Sequence, residues 1–487
     1  MSPLPATPSA PPTEGADAAT VSSRARYRGL LWLVAAAFFM QALDSTIVNT
    51  AVPAMAGALA VTPLGMRSAL TSYVLTLAIL IPASPWLCDR FGTRRVFAAA
   101  IATFGVGSLL CGLAQSLPQL VAARVLQGIG GASLMPVGRY VLVRSIDKRD
   151  YIRAMSTVAT FGLLGSVLGP LLGGALVEFT TWRLIFLINV PVGLIGLWLN
   201  RREMPDYRLD HARRFDAGGF AMFAAASALL LVASEQAGGP QHRWGLIAAC
   251  ATAAAVLAVL YVRHSRRVTY PVADLTLLRV RSVWVALSGN LFTRLGVSGM
   301  FLLLVLFLQV GCGWSPTMAG LMMVPQALGS ICAKWVINRL LARLGYRRLL
   351  LGNTLMVALL IASFSLLDHA TPIWLIAVLV FVYGSFMGLQ YTAMNTLVYT
   401  DLDIRHASMA SSMASTAQYL SMSFGIALAS LLMELFLGDD PHVARAYVGA
   451  FHGAVLLLAG TTALASLVFL RLRPDRNQER APARAAR

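Results

Sequence analysis

The stretch FFMQALDSTIVNT, residues 38–50, sets a carboxylate, Asp44, inside a run apolar enough to cross a bilayer. An ionisable side chain at the centre of a spanning helix costs at least ~2.5 kcal/mol, so by default it faces a cavity or a partner. Whether this run spans a membrane decides the fold, and the rest of the chain answers the question. Of 487 residues, 57% are hydrophobic and only 12% charged, with a mean hydropathy of +0.69. A soluble domain carries roughly a quarter charged residues. This composition is that of an integral membrane protein.

A spanning helix needs about 20 mostly apolar residues. Such runs fall near 30–53, 67–88, 96–115, 118–142, 154–178, 182–200, 215–234, 245–262, 283–310, 317–338, 349–367, 372–395, 408–435 and 446–470. They predict an all-α membrane protein of fourteen spans. Cytoplasmic loops should carry the lysines and arginines. Thirty-two of the 39 basic residues do fall on one side: before span 1, after each even-numbered span to span 12, and beyond span 14. A missed or invented span would invert this alternation downstream, so both termini are expected inside. The formal charge of +18 therefore marks loops, not a nucleic-acid surface.

After span 2 the chain reads RFGTRRVF and after span 10 RLGYRRLL, with Gly92 and Gly345 standing 253 residues apart. That offset superposes spans 1–6 on spans 9–14 and leaves spans 7 and 8 as an inserted pair. Related halves with substrate held between them near the midplane are a common transporter plan. The organisation expected is a disordered cytoplasmic tail (1–27), a first six-helix bundle (28–202), the inserted helices (203–265), a second bundle (266–473) and a basic tail (474–487).

Helical geometry then groups the buried charges. At ~1.5 Å per residue, Asp44 lies about 13 Å and Arg124 about 9 Å from the outer surface, at comparable depth. Gln41, Asp44, Ser45 and Asn49 share an arc of about 140°, and Arg124, Gln127, Gly128 and Gly131 make one face of span 4. Burial raises a carboxyl's hold on its proton and a neighbouring guanidinium weakens it, so a cavity that opens and closes could switch occupancy. A proton moved down 100 mV supplies ~2.3 kcal/mol. The second half offers no matching acid: Arg294 lies mid-span, Lys334 near the inner end of span 10 and Glu434 near the outer end of span 13. One deep acid against two or three bases tilts the cargo toward anionic, zwitterionic or neutral molecules. Gln390, Tyr391 and Asn395 in span 12 are further candidates for the substrate cavity. No nucleophile with a base, no metal-ligand spacing and no disulfide framework is present in the sequence, which speaks against an enzyme or a metal or cofactor site.

Five motifs occur in order: LDSTIVNTAVP (43–53), DRFGTRR (89–95), RVLQGIGGA (124–132), GLLGSVLGPLLGG (162–174) and WRLIFLINVPVG (182–193). Together they resemble the major facilitator superfamily, specifically its fourteen-span drug:proton antiporter branch, and the wording of several is similar to enterobacterial inner-membrane multidrug exporters. The resemblance implies a monomeric, multi-pass transporter of the bacterial inner membrane. It would exchange small amphipathic molecules for protons by alternating access, with lipid, substrate and protons as its only partners and the proton gradient in place of a cofactor. With the first and fourth spans of each half lining the cavity, as the resemblance implies, the buried charges and polar faces read above make Asp44 and Arg124 the expected proton-coupling pair and Gln41, Asn49, Gln127 and Arg294 the expected cavity residues. Asp89, with Arg90, Gly92, Arg94 and Arg95, would latch the outward-facing state. Gly165, Gly169, Pro170, Gly173 and Gly174 would form a flexible antiporter helix, where small residues let backbones approach. The latch pattern departs from the family at one position, where Pro85 replaces a glycine.

Overall fold

The computed structural model describes residues 14–146, 148–209, 214–237, 243–402, 407–437 and 444–472. Among them there is no strand, and thirteen helices are long and apolar enough to cross a membrane. They are α1 (Glu14–Ala58), α2 (Arg67–Phe91), α3 (Thr93–Leu113), α4 (Leu117–Ser145), α5 (Lys148–Phe179) and α6 (Leu184–Glu203) in the first bundle. The inserted pair follows as α7 (Ala217–Ala237) and α8 (Trp244–Ser265). The second bundle holds α9 (Arg281–Gly311), α10 (Pro316–Leu366), α11 (Ile373–Leu397), α12 (Ala407–Leu437) and α13 (Ala444–Phe469).

The count of thirteen conceals a turn. The 51 residues of α10 contain one non-helical residue, Gly345, at φ 70° and ψ 168°. Ser330, before it, donates to the carbonyl of Gly384 at 2.8 Å, and Asn353, after it, donates to the carbonyl of Phe386 at 2.9 Å. Both arms thus meet α11 at one level, so the chain reverses between them. Divided at Gly345, the thirteen runs give fourteen arms of spanning length. The matching turn between α2 and α3 uses Gly92, at φ 89° and ψ 146°. Both conformations are strained for a residue with a Cβ.

The expected disordered tail is corrected in part. Helix α1 begins at Glu14, so residues 14–27 continue the first span as helix. The rest of that tail (1–13), the whole basic tail (474–487) and the loop arginines Arg213 and Arg405 lie outside the described residues.

Packing places the halves. On the side opposite the basic loops, one continuous core draws on both bundles, joining Ile47, Met55, Leu64 and Phe186 to Val305, Phe307, Met433 and Phe451. On the basic side the cores are separate, one around Leu33, Phe97 and Leu142, the other around Val283, Leu350 and Phe469. A cleft of about 350 Å³ lies between α5 and the first arm of α10, lined by Ser156, Thr160, Leu163, Lys334 and Trp335. By the positive-inside rule the basic side is cytoplasmic. The two halves thus share one core on the outer side, while on the basic side their cores are separate and α12 bridges them through Tyr419 and Met422.

Candidate functional site

Asp44 sits at mid-depth in α1, fully buried, and its carboxylate takes three donors from two other helices. Arg124 of α4 donates from Nη1 to Oδ2 at 2.9 Å. Gln127, one turn further along α4, donates from Nε2 to Oδ1 at 2.7 Å, and Asn189 of α6 donates to the same oxygen at 3.2 Å. Ser108 of α3 accepts from Gln127 and Asn189 at 2.7 and 3.3 Å. Arg124 also donates from Nη1 to Gln127 Oε1 at 2.7 Å and from Nε to the Ala69 carbonyl at 3.3 Å. Its guanidinium lies 3.9 Å from the centre of the Tyr73 ring, held there by cation–π attraction. A buried carboxylate needs such a set of charge-assisted donors, since leaving it unpaired would be strongly destabilising.

The two residues grouped by depth, Asp44 and Arg124, are thus in contact, and Gln127 joins them. The remainder of the expected stripe does not. Asn49 turns its amide onto the carbonyls of Ser45 and Thr46 in its own helix, and Gln41 is buried with Oε1 unpartnered. Sequence reading missed Asn189 and Ser108. Asn189 lies inside the quoted motif WRLIFLINVPVG, and a lone asparagine in an apolar run was the signal available.

In the second bundle, Arg294 is buried in α9 and carries its charge without a carboxylate among the described residues. Its Nε donates to Asn290 Oδ1 at 2.5 Å, and its guanidinium lies 3.6 Å from the centre of the Tyr391 ring. Gln390, one residue earlier in α11, points the other way, accepting from Asn353 and donating to Thr354, both at 2.7 Å. It binds the second arm of α10 inside its own bundle. Asn395 is exposed.

The basic turn at Gly92 is strapped by the chain that leaves α6. Thr93 Oγ1 donates to the Pro205 carbonyl at 2.7 Å, Arg94 Nε to the Met204 carbonyl at 2.7 Å, and the Leu209 amide to the Asp89 carbonyl at 3.2 Å. Asp89 accepts from Tyr140 of α4 at 3.4 Å. None of these contacts reaches the second bundle, and the side chains of Arg90, Arg94 and Arg95 are on the surface. Pro85 is exposed in the first turn of the helical segment Ser84–Phe91, after the 3-10 turn Ile81–Ala83, where a missing N–H costs nothing.

Along α5, Gly165, Gly169 and Gly173 face α1. A methyl at Gly165 would sit 2.5 Å from the Phe39 carbonyl, and at Gly169 and Gly173 it would overlap Thr46 Oγ1 and Thr50 Oγ1. Gly174 and Pro170 instead meet α10, where Gly174 abuts the Pro316 carbonyl and Gly320 abuts that of Pro170. The antiporter helix is therefore the seam between halves at its outer end.

Comparison with known proteins agrees with this architecture. The family model described as Major Facilitator Superfamily matches residues 34–426 and again 286–487. A protein of Pectobacterium atrosepticum provisionally named multidrug resistance protein MdtD is 42% identical over 457 residues, covering 93% of this chain and 97% of that one. The protein of the same name from Serratia proteamaculans is 40% identical over 455 residues, 92% of this chain and 94% of its own. Among solved structures, a bacterial homologue of the human lysosomal transporter Spinster superposes with a TM-score of 0.64 at 16% identity, covering 93% of this chain and 99% of that one. A D-xylose-proton symporter gives 0.63 at 15% identity, with 92% and 98% covered.

Proposed function

The chain belongs to the major facilitator superfamily, and on that premise we propose a secondary active transporter of the bacterial inner membrane that exports small amphipathic molecules, drugs among them, in exchange for protons. The observation that carries the proton-coupling part is the buried Asp44 carboxylate with its three donors from α4 and α6. Protonation at Oδ2 would set an O–H donor against the Arg124 N–H donor, and two donors repel. Arg124 would then shift its bond to Gln127 Oε1 or the Ala69 carbonyl, both already within reach. Loading the proton thereby alters the α1–α4–α6 interface, the element that alternating access has to move. The proton's release requires a state in which water reaches Asp44. Asp89 and the basic turn at Gly92 serve as latch in the state whose inner ends close. Gly169 and its neighbours let α5 slide on α1.

The test uses inverted membrane vesicles with a pH-sensitive dye. Substrate-induced proton release should vanish in Asp44→Asn, and release at the wild-type rate would end the assignment.

A second reading of the same fold, an organic-anion carrier, is favoured by Arg294. A buried guanidinium held by an amide oxygen and an aromatic face, with no carboxylate beside it among the described residues, offers its remaining donors to an anionic group of the cargo.

A further inference from the structure

The outer seal contains an ion-pair cluster that joins three parts of the chain. Arg67, the first residue of α2, is 4% exposed and divides its guanidinium between two acids. Nη1 donates to Glu434 of α12, in the second bundle, at 2.6 Å. Nε donates to the carboxylate of Glu235 at 3.2 Å, and Nη2 to the backbone carbonyl of the same residue at 3.0 Å. Glu235 ends the inserted helix α7, and its other carboxylate oxygen accepts from Thr71 of α2 at 3.1 Å. The cluster stands over the shared core at Leu64, Met66 and Met433. Other links cross the same seam, Gln309 to the Thr50 carbonyl at 2.9 Å, the Thr317 amide to Glu178 at 3.0 Å and Ser423 Oγ of α12 to the Thr71 carbonyl at 3.1 Å.

The two acids are not equivalent. Glu434 belongs to the opposite half and must leave Arg67 when the outer ends part. Helix α7 packs on both α2 and α12, but its polar bonds here all go to α2: Glu235 holds that helix at three points, two through Arg67 and one through Thr71, and these bonds keep it with the first half. In the closed arrangement both acids compete for one guanidinium. Once Glu434 has gone, Glu235 alone compensates the charge, and its attraction is undiluted.

We propose that Arg67, Glu235 and Glu434 form the outer lock of the transport cycle, Glu434 as the bolt that breaks and Glu235, carried by the inserted pair, as the acid that receives Arg67 when the lock opens. This rests on the alternating-access reading above. It gives α7 a working part in the cycle, and it fixes opposite signs for the two acids: losing Glu434 favours the open outer side, losing Glu235 favours the closed one.

The experiment is pulsed electron resonance between spin labels at Thr62→Cys and Ala370→Cys, exposed positions on the outer loops of the two halves, in full-length protein with its own cysteines replaced by serine. Glu434→Gln should raise the long-distance fraction at least about fivefold and Glu235→Gln should lower it at least about twofold, the signs following from the pairing above. Should Glu434→Gln not yield folded protein, Glu434→Asp, which withdraws the carboxylate by one methylene, should raise the fraction likewise. An unchanged distribution in the Glu434 variants, or a shift of the same sign for both acids, overturns the lock. Proton release by the Asp44→Asn protein is read separately. A normal release there with responsive distances sinks the proton site and leaves the lock standing.

Discussion

Asn189 Nδ2 lies 3.2 Å from Asp44 Oδ1 and ties α6 to α1 across 145 residues of chain. It shares that oxygen with Gln127 and shares Ser108 with it as well, so the asparagine orients both the carboxylate and its principal amide donor. A hydrogen bond to a buried charge contributes about 1.5–3 kcal/mol. Asn189→Ala should therefore slow substrate-coupled proton release about tenfold, the equivalent of one lost charge-assisted bond. Vesicle assays with a pH-sensitive dye check this. Release at the wild-type rate would reduce Asn189 to a packing residue.

The glycines of α5 make a graded prediction. A methyl at Gly169 overlaps Thr46 Oγ1, whereas one at Gly162 would meet nothing nearer than Phe38 at 3.9 Å. Overpacking of a close interface costs about 1–3 kcal/mol. Gly169→Ala should lower thermal stability in detergent and cut transport, while Gly162→Ala behaves as wild type in both measurements.

Arg294 separates the two readings of the cargo. With Arg294→Ala, export of an organic anion should fall more than about tenfold, the equivalent of one lost charge-assisted bond, and export of a cationic dye less than about threefold. Equal losses for both would remove the case for an anionic cargo.

At the latch, Gly92 carries a backbone conformation that costs other residues about 1–3 kcal/mol, and a methyl there would also overlap Asp206 Oδ1. Gly92→Ala should thus destabilise the protein, and adding Asp206→Ala should recover only part of the loss, since the φ of 89° remains. Scanning fluorimetry of the two variants checks the order. Full recovery would place the whole effect in the side-chain overlap.

Much of this was legible in the sequence for simple reasons. Spans are long, and their lengths are set by the bilayer; the arginines mark one side; and Gly92 and Gly345 share flanking residues because both make the same turn. Depth along the helix sufficed to pair Asp44 with Arg124. Angle around a helix sufficed less well, because it fixes which residues share a face and not which neighbour covers that face. Asn49 accordingly bonds within its own helix, and Gln390 turns into its bundle while Tyr391 meets Arg294. Asn189, Ser108 and Arg67 were hidden by distance along the chain. Two are uncharged and barely disturb hydropathy. Arg67 stands at a helix end, where an arginine is ordinary until Glu235 and Glu434 are brought to it from 168 and 367 residues away.

A straight helix through the 51 residues of α10 would be about 76 Å long, some two and a half times the ~30 Å of hydrocarbon. Gly345 divides that length, and with it the parity of the molecule. Without the reversal the chain would cross an odd number of times, and every segment after it would face the wrong compartment: Glu434 would stand on the cytoplasmic side, a membrane's width from Arg67. Because α7 and α8 come as two, they leave the parity untouched, and the second bundle keeps the orientation of the first. One residue without a side chain thus decides on which side of the membrane the last third of the protein does its work.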